Sequence, residues 1–458
     1  MKSSVENFLN FEKSIDSFDV FTFKGINFYG ALRTHFSYTL FINSKKLKIS
    51  LFFRFLRLLK SFIFAIRSFN INYFKKSSVI FLAEFNDYQY EGNKVSYEVF
   101  ETMSDFFISK NCPFEIIKFN SNNKNGVHFR DYRVSDFENL FNLVSVFAKF
   151  ITPISYILNY KKFKRVSSHF YFGTFSPFRC SLILNETYLM YLIGIVVINI
   201  KRPKYFVASS FTSLPFQGLL LAAKVKGIEF IDIQHGTIFD LNYTYTNNFI
   251  NLKQLPDKYL VYSNFEIQKL KLLNNVYSTG NLRIEFYNRY HKNIGKKFER
   301  IILFSLQYDI SDEILKFYID TYSTLVKQYN LNVKIRLHPR SINDEVLKNK
   351  IINFTNKSIF DEILIFSKFP IYEVLSSTLI HVTVNSSVFL DALNFGVFSI
   401  IVNSKFSNDF SQYHSTGLVK IVSMENIIEE IVSLIDNMPN NRSFESKYFD
   451  HSAIFEGI

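Results

Sequence analysis

Tryptophan is absent from this chain and cysteine occurs twice in 458 residues. Cys112 and Cys180 are too far apart in sequence for a metal-ligand pair, and two thiols cannot frame a disulfide scaffold. A reducing cytoplasm is therefore the expected compartment. No Asp-x-Asp pair occurs, so a metal held through such a pair is not expected. The opening "MKSSVENFLNFEKSID" carries acids and lacks an apolar run, which argues against a secretory signal. Acidic residues are also missing from Lys45 to Lys76, where nine Lys and Arg supply most of a net charge of +13.

That acid-free stretch contains "SLFFRFLRLLKSFIFAIRSF", residues 50–69. On a helix, Arg54, Arg57, Lys60 and Arg67 share one side, and Leu51, Phe55, Leu58, Leu59, Phe62 and Ile66 share the other. A basic amphipathic helix suits an anionic membrane surface, and four charges argue against a span. Packing on a protein core is the plainer reading of the same pattern. Nucleic acid is not expected as a partner, because no nucleic-acid-binding signature accompanies the charge. The most apolar segment, "LILNETYLMYLIGIVVINI" (182–200), contains Asn185 and Glu186 and reads as a buried helix.

Hydrophobic residues make up 48% of the chain, which is ample for packed cores. Beyond residue 76, short apolar strands alternate with helical stretches. Strands are expected at 79–83, 115–119, 169–173, 205–209, 228–233 and 258–262, with a helix at 214–227. A polar, basic stretch, "YNRYHKNIGKKFER" (287–300), reads as a linker. Strands then recur at 300–306, 332–337, 379–384, 397–402 and 417–422, with helices at 311–329, 343–353, 386–394 and 424–438. This alternation predicts an α/β protein of two tandem, doubly wound, Rossmann-like domains. Expected boundaries are an N-terminal helical segment over 1–76, a first domain over 77–286, a second over 300–438 and a tail over 439–458. Residues 121–160 show no chemistry.

Ligands of such sheets bind at loops following the strands, and four strand ends are unusual. One is Gln234-His235-Gly236, where an imidazole of ordinary pKa near ~6.5 could take a proton from a hydroxyl and Gly236 permits close approach. The second is Leu306-Gln307. The third is Arg336-Leu337-His338-Pro339-Arg340, where an imidazole and flanking guanidinium groups suit an anionic group. The fourth is Asn385-Ser386-Ser387, where a strand turns into a helix. Free N–H groups and hydroxyls there suit a phosphate, and Asp391, one turn on, could accept from ribose hydroxyls. The plainer reading is that Ser386 caps the helix and His338 caps a turn. A base in one half and a phosphate grip in the other, facing each other across a cleft, suit transfer from an activated phosphate donor to an acceptor hydroxyl.

The ordered set Gln-His-Gly, Leu-Gln, Arg-x-His-Pro and Ser-Ser followed by an acid and Gly resembles the GT-B glycosyltransferases of bacterial surface polysaccharide synthesis. The nearest groups are capsule Kdo-transferases, sialyl- and polysialyltransferases, and teichoic-acid polyol-phosphate transferases; the resemblance covers about residues 200–405. It implies an inverting, metal-independent transferase using a nucleotide sugar, with a CMP-linked donor favoured, and a polysaccharide or glycolipid acceptor. It implies that His338, Ser386 and Ser387 bind the donor phosphate; with the strand-end reading, Arg336, Pro339, Asp391 and Gln307 join them as expected donor-binding residues, and Gln234, Gly236 and Asn385 as other residues of the cleft. It gives His235 a catalytic role. The sialyltransferase pattern instead has an acidic pair before Gly, which "YEG" at Tyr90-Glu91-Gly92 matches with one acid, so Glu91 is a second candidate base. The tryptophan common beside His-Gly in the polyol-phosphate group is missing. Transfer of a polyol phosphate and non-catalytic nucleotide-sugar binding are the alternatives. A peripheral position on the inner face of the cytoplasmic membrane is the expected localisation.

Overall fold

The computed structural model describes residues 75–83, 94–119, 133–168, 177–234, 255–270, 275–290, 300–307, 310–404 and 407–437, with short pieces within 21–33 and at 89–91, 127–128, 236, 238, 273 and 454–455. The expected helix at 50–68 and the expected strand at 169–173 lie outside these residues. The chain divides into two compact units, Met1–Thr279 with Asp450–Ile458, and Gly280–Phe449.

The first unit is built on a seven-stranded parallel sheet. Its strands are β1 (Val79–Ala83), β2 (Phe114–Lys118), β3 (Arg133–Asp136), β4 (Tyr205–Ala208), β5 (Glu229–Ile233), β6 (Lys258–Val261) and β7 (Val276–Ser278). The spatial order is β7-β6-β5-β4-β1-β2-β3. The winding reverses between β1 and β4, which is the doubly wound Rossmann order. β1, β4 and β6 are buried along their whole length, as strands covered on both faces should be. Their runs "VIFLA", "YFVA" and "KYLV" are correspondingly apolar. A small accessory sheet joins Gln89–Glu91, Lys94–Ser96 and Val127–His128.

Four long helices belong to this unit: α1 (Glu98–Ser109), α2 (Glu138–Ser168), α3 (Pro177–Lys201) and α4 (Leu214–Lys226). α3 and α4 cross closely because glycine permits it. A Cβ on Gly218 would lie 2.5 Å from Met190 Cβ, and one on Gly194 would lie 2.6 Å from Ala222 Cβ. Met190, Val197 and Ile198 of α3 thereby join the core formed by Phe216, Leu219, Ala222 and Ala223 of α4 and by the sheet. At the amino ends of the strands, Lys201 Nζ donates to Glu115 Oε2 at 2.6 Å, with both side chains 1% exposed or less. Ser77 and Ser135 also donate to this carboxylate. The C-terminal residues return to this unit. Ile454 accepts from Lys258 Nζ at 2.6 Å, and the Phe455 ring packs on Phe106, Phe107 and Tyr205.

The second unit has five parallel strands: β8 (Ile301–Ser305), β9 (Val333–Arg336), β10 (Thr378–Thr383), β11 (Phe398–Val402) and β12 (Val419–Val422). Their order is β9-β8-β10-β11-β12, with the reversal between β8 and β10. Besides a short helix at Ile371–Leu375, its helices are α5 (Leu282–Tyr290), α6 (Asp312–Tyr329), α7 (Glu345–Phe354), α8 (Lys357–Ser367), α9 (Val388–Asn394) and α10 (Ile427–Asn437). α6 is capped by Ser311, and its C-cap Asn330 takes the left-handed conformation, as such ends favour. The junction between units precedes α5, ahead of the polar stretch expected as linker. The reason is aromatic: Tyr287 of α5 packs on Tyr372 and Phe395 with centroids 5.8 and 5.7 Å away.

Thus the two doubly wound sheets expected from the sequence are both present. Strands β3 and β7, the accessory-sheet strands, and helices α1, α2, α5 and α8 were not anticipated.

Candidate functional site

In the second unit, the carboxyl ends of β8 and β10 flank the point where the winding reverses. β8 ends at Ser305 and leads into Leu306-Gln307; β10 ends at Thr383 and leads into Val384-Asn385-Ser386-Ser387. Three buried polar atoms at these two ends have no hydrogen-bond partner among the described residues: Ser305 Oγ, Gln307 Oε1 and Asn385 Oδ1. Buried polar atoms are almost always paired, so a cluster of unpaired ones calls for an explanation. Here they mark adjacent strand ends at the position where doubly wound sheets bind ligands.

The backbone around them is held by internal bonds. Thr383 Oγ1 donates to Ser305 C=O at 3.2 Å and accepts from Ser386 N–H at 3.1 Å. Ser386 Oγ accepts from Val388 N–H, the first amide of α9, at 3.3 Å, while Ser387 at the N-cap makes no side-chain cap bond. Ser386 is buried and Ser387 exposed. A buried serine that serves the helix start thus stands beside an exposed one at the N-cap.

The next strand end belongs to β9. Leu306 N–H donates to Arg336 C=O at 2.9 Å, and Leu337 N–H donates to Ser367 Oγ at 2.9 Å. Arg336 Nη1 donates to Phe369 C=O at 2.7 Å, so part of its guanidinium holds the turn after α8. Burial pulls its pKa down to about 10, which still leaves it cationic at neutral pH. His338 is half-buried, and its carbonyl accepts from Ser341 N–H at 2.8 Å, closing a turn with the exposed Pro339 at its start.

Asp391, expected to meet ribose hydroxyls, has a protein partner. Asn281 Nδ2 donates to its Oδ1 at 2.6 Å, and Asn281 Oδ1 accepts from Arg283 N–H at 3.1 Å. Although the residue is only half-buried, its carboxylate faces inward onto the start of α5. Burial pushes its pKa up to about 6, against the opposing charge of Arg283 and the Asn281 bond. Asn281 and Arg283 were not singled out from sequence. The only local signal was Gly280-Asn281 ahead of a helix, with Gly280 at φ +74°.

In the first unit, Gln234 is placed but His235 lies outside the described residues. Gln234 Oε1 accepts from Tyr262 N–H and its Nε2 donates to Gly236 C=O, both at 2.8 Å. Its own N–H donates to Leu260 C=O at 2.8 Å. One side chain therefore ties the ends of β5 and β6 to the loop that carries position 235. Beside it, Asp232 accepts from Phe211 N–H at 2.7 Å and Gln217 donates to Phe211 C=O at 2.5 Å, which fixes the loop after β4. Gln217 and Asp232 are positioning residues that sequence reading missed. Glu91 is on a strand of the accessory sheet, and its side chain lies outside the described residues, as does that of Arg340. Among the described residues, no three His, Cys, Asp or Glu side chains gather closely enough to hold a metal ion.

No family model matches the chain, and no curated protein matches it in sequence. Solved structures do resemble it. The UDP-GlcNAc 2-epimerase of Methanocaldococcus jannaschii is 13% identical, with 80% of this chain and 94% of that one covered at a TM-score of 0.47. The UDP-GlcNAc 2-epimerase of Neisseria meningitidis is 12% identical, with 78% and 91% covered at 0.45. The wall teichoic acid polymerase TagF is 12% identical, with 85% and 90% covered at 0.40.

Proposed function

We propose that this chain is an inverting glycosyltransferase of GT-B architecture. It would move a sugar from a nucleotide-activated donor, with CMP sugars favoured, to a hydroxyl of a surface polysaccharide or lipid-linked acceptor. The observation that carries the donor half is the trio of polar atoms at Ser305, Gln307 and Asn385, buried and unpaired among the described residues. Two amide oxygens are acceptors, and the amide nitrogens beside them are donors. Such a pair reads a base edge or a ribose hydroxyl and suffers when nothing fills it.

The remaining roles rest on charge. The Ser386 and Ser387 hydroxyls, His338 and the cation of Arg336 supply donors for a diphosphate or monophosphate leaving group. Their contribution grows as charge builds on the departing oxygen, which is how such donors accelerate transfer. The acceptor hydroxyl needs a base. His235 is the first candidate, on a loop whose ends Gln234 pins; Glu91 is the second. No metal is assigned a role.

The test is thermal shift with CMP, CDP, UDP and GDP, because a ligand that binds only the folded state raises its melting temperature. One nucleotide should stabilise the wild type, and Asn385→Ala with Gln307→Ala should abolish that rise. Stabilisation by none, or an unchanged rise in the double variant, would remove the donor site from this sheet end. Product mass then separates sugar transfer from polyol-phosphate transfer, since only the latter leaves a phosphodiester.

A further inference from the structure

α2 is folded inside out for a helix in water. Near its start it buries Ala148 and, in the core of the first unit, Val144, but from Thr152 to Ser155 the face it turns to α3 is polar. Ser155 Oγ meets Ser181 Oγ at 2.7 Å, and Asn185 Nδ2 donates to Thr152 Oγ1 at 3.1 Å and to Ser155 Oγ at 2.8 Å. Ser145 donates to the carboxylate of Glu186 further along the same seam. The face it turns outward is apolar. Phe150 is 71% exposed, Ile154 64%, Ile157 73% and Leu158 78%, with Phe147 and Ile151 beside them. These positions recur at the three- and four-residue spacing of one helical stripe.

An ordinary amphipathic helix buries its apolar stripe and wets its polar one. The reverse arrangement, with polar residues joining two helices and apolar residues outside, is the packing that lipid favours. Of the window Leu140–Leu158, long and apolar enough to cross a bilayer, 17% is buried, against 50% for Phe178–Lys201 in α3. α3 is locked to the core of the first unit through Gly194 and Gly218, so the pair cannot enter a bilayer as a spanning hairpin. Only the outer face of α2 is available.

The residues at the end of that stripe identify its occupant. Lys161 and Lys162 continue the exposed surface directly after Leu158, and Lys164 is exposed beside Tyr160, with Nζ 6.0 Å from the ring centroid. Apolar residues ending in cations and an interfacial tyrosine match a layer of acyl chains bordered by anionic headgroups. A protein partner would not require that order, and a second copy packed in parallel would set the cations of one against those of the other.

We propose that the outward face of α2, from Phe147 to Leu158 with Lys161, Lys162 and Lys164 at its end, lies in the interfacial layer of an anionic lipid bilayer. The helix rests along the surface and does not cross it. This supplies the membrane contact that a lipid-linked acceptor needs, without depending on which group is transferred. Vesicle binding is measured without turnover, so this inference and the proposed function can fail separately.

The absence of tryptophan makes the test direct. Phe150→Trp installs the chain's sole indole. With vesicles of phosphatidylcholine and phosphatidylglycerol, its emission should shift to the blue and be quenched by brominated acyl chains. In co-sedimentation with the same vesicles, F150S/I154S/I157S should lose affinity by at least about tenfold, since each side chain forgoes apolar burial. K161E/K162E/K164E should bind anionic vesicles no better than phosphatidylcholine alone. Circular dichroism and sedimentation velocity show whether each variant is folded, and of what size. Three outcomes overturn the inference: an indole that stays in water; vesicle binding by the serine variant equal to wild type, which places lipid contact elsewhere, such as residues 50–68; or a wild-type dimer that the serine variant splits while lipid binding persists, which makes this face a contact between copies.

Discussion

The two sheets end differently, and the contrast separates scaffold from binding surface. At the carboxyl ends of β5 and β6, Gln234 uses both ends of its amide on its own backbone, and Asp232 and Gln217 do the same for the loop after β4. At the corresponding ends of β8 and β10, Gln307 and Asn385 have the same functional group with its oxygen buried and unpaired among the described residues. A satisfied amide fixes geometry, and an unsatisfied one awaits a ligand. The first unit thus spends its strand-end polarity on holding a loop, and the second keeps it open.

The largest effect expected from breaking this contrast lies at the opposite end of the first sheet. Lys201→Met leaves the buried Glu115 carboxylate without its cation, and losing one partner of a buried pair costs about 3–5 kcal/mol. Chemical denaturation should show that loss, and adding Glu115→Gln should restore part of it. Next comes Gln234→Ala, which strands the buried Tyr262 N–H and should cost about 1–3 kcal/mol. Asn385→Ala and Gln307→Ala should behave oppositely. Each removes an unpaired oxygen, so neither should lower stability measurably, while affinity for the stabilising nucleotide should fall by about tenfold or more. If the Gln234 and Asn385 variants gave equal losses of stability, the distinction between pinned and open strand ends would be gone.

How much of this was legible in the sequence depends on the same physics. Strands buried on both faces announce themselves as apolar runs, and β1, β4, β6, β8, β10 and β11 were all expected within a residue or two. β3 and β7 were not, because "RVSD" and "VYS" at sheet edges are short and half polar. α2 escaped because its longest apolar stripe faces outward and its polar residues face a neighbour, which reverses the pattern that amphipathic reading looks for. Strand-end position alone drew attention to Gln234 in the first unit and to Gln307, Asn385, Ser386 and His338 in the second. Asn281 could not be found this way, since its partner Asp391 is 110 residues distant in sequence. Nor does periodicity distinguish an amide that pins backbone from one that waits for a ligand; only the hydrogen-bond inventory does.

The smallest effect at neutral pH, and the most discriminating in its pH dependence, concerns two groups of the second unit that titrate in opposite senses. His381 on β10 is fully buried with neither ring nitrogen bonded among the described residues, and burial lowers its pKa to about 3 from its ordinary 6.5. The folded state therefore holds it neutral, and its contribution to stability is complete above about pH 6.5 and lost as pH falls toward 3. Asp391 runs the other way. Its folded pKa is raised to about 6 from 3.8, so its contribution is complete below about pH 3.8 and lost as pH rises through 6. Asp391→Asn keeps an acceptor for Asn281 and removes the buried charge, at the cost of the attraction to Arg283. The melting temperature of D391N relative to wild type should accordingly climb between pH 4 and pH 7 and then level off. His381→Phe should instead close its gap to wild type, or overtake it, as pH falls from 6.5 toward 4. A D391N difference that stays flat across that range would mean the carboxylate is as well solvated in the fold as in the unfolded chain, and the inward-facing contact with Asn281 would have to be abandoned.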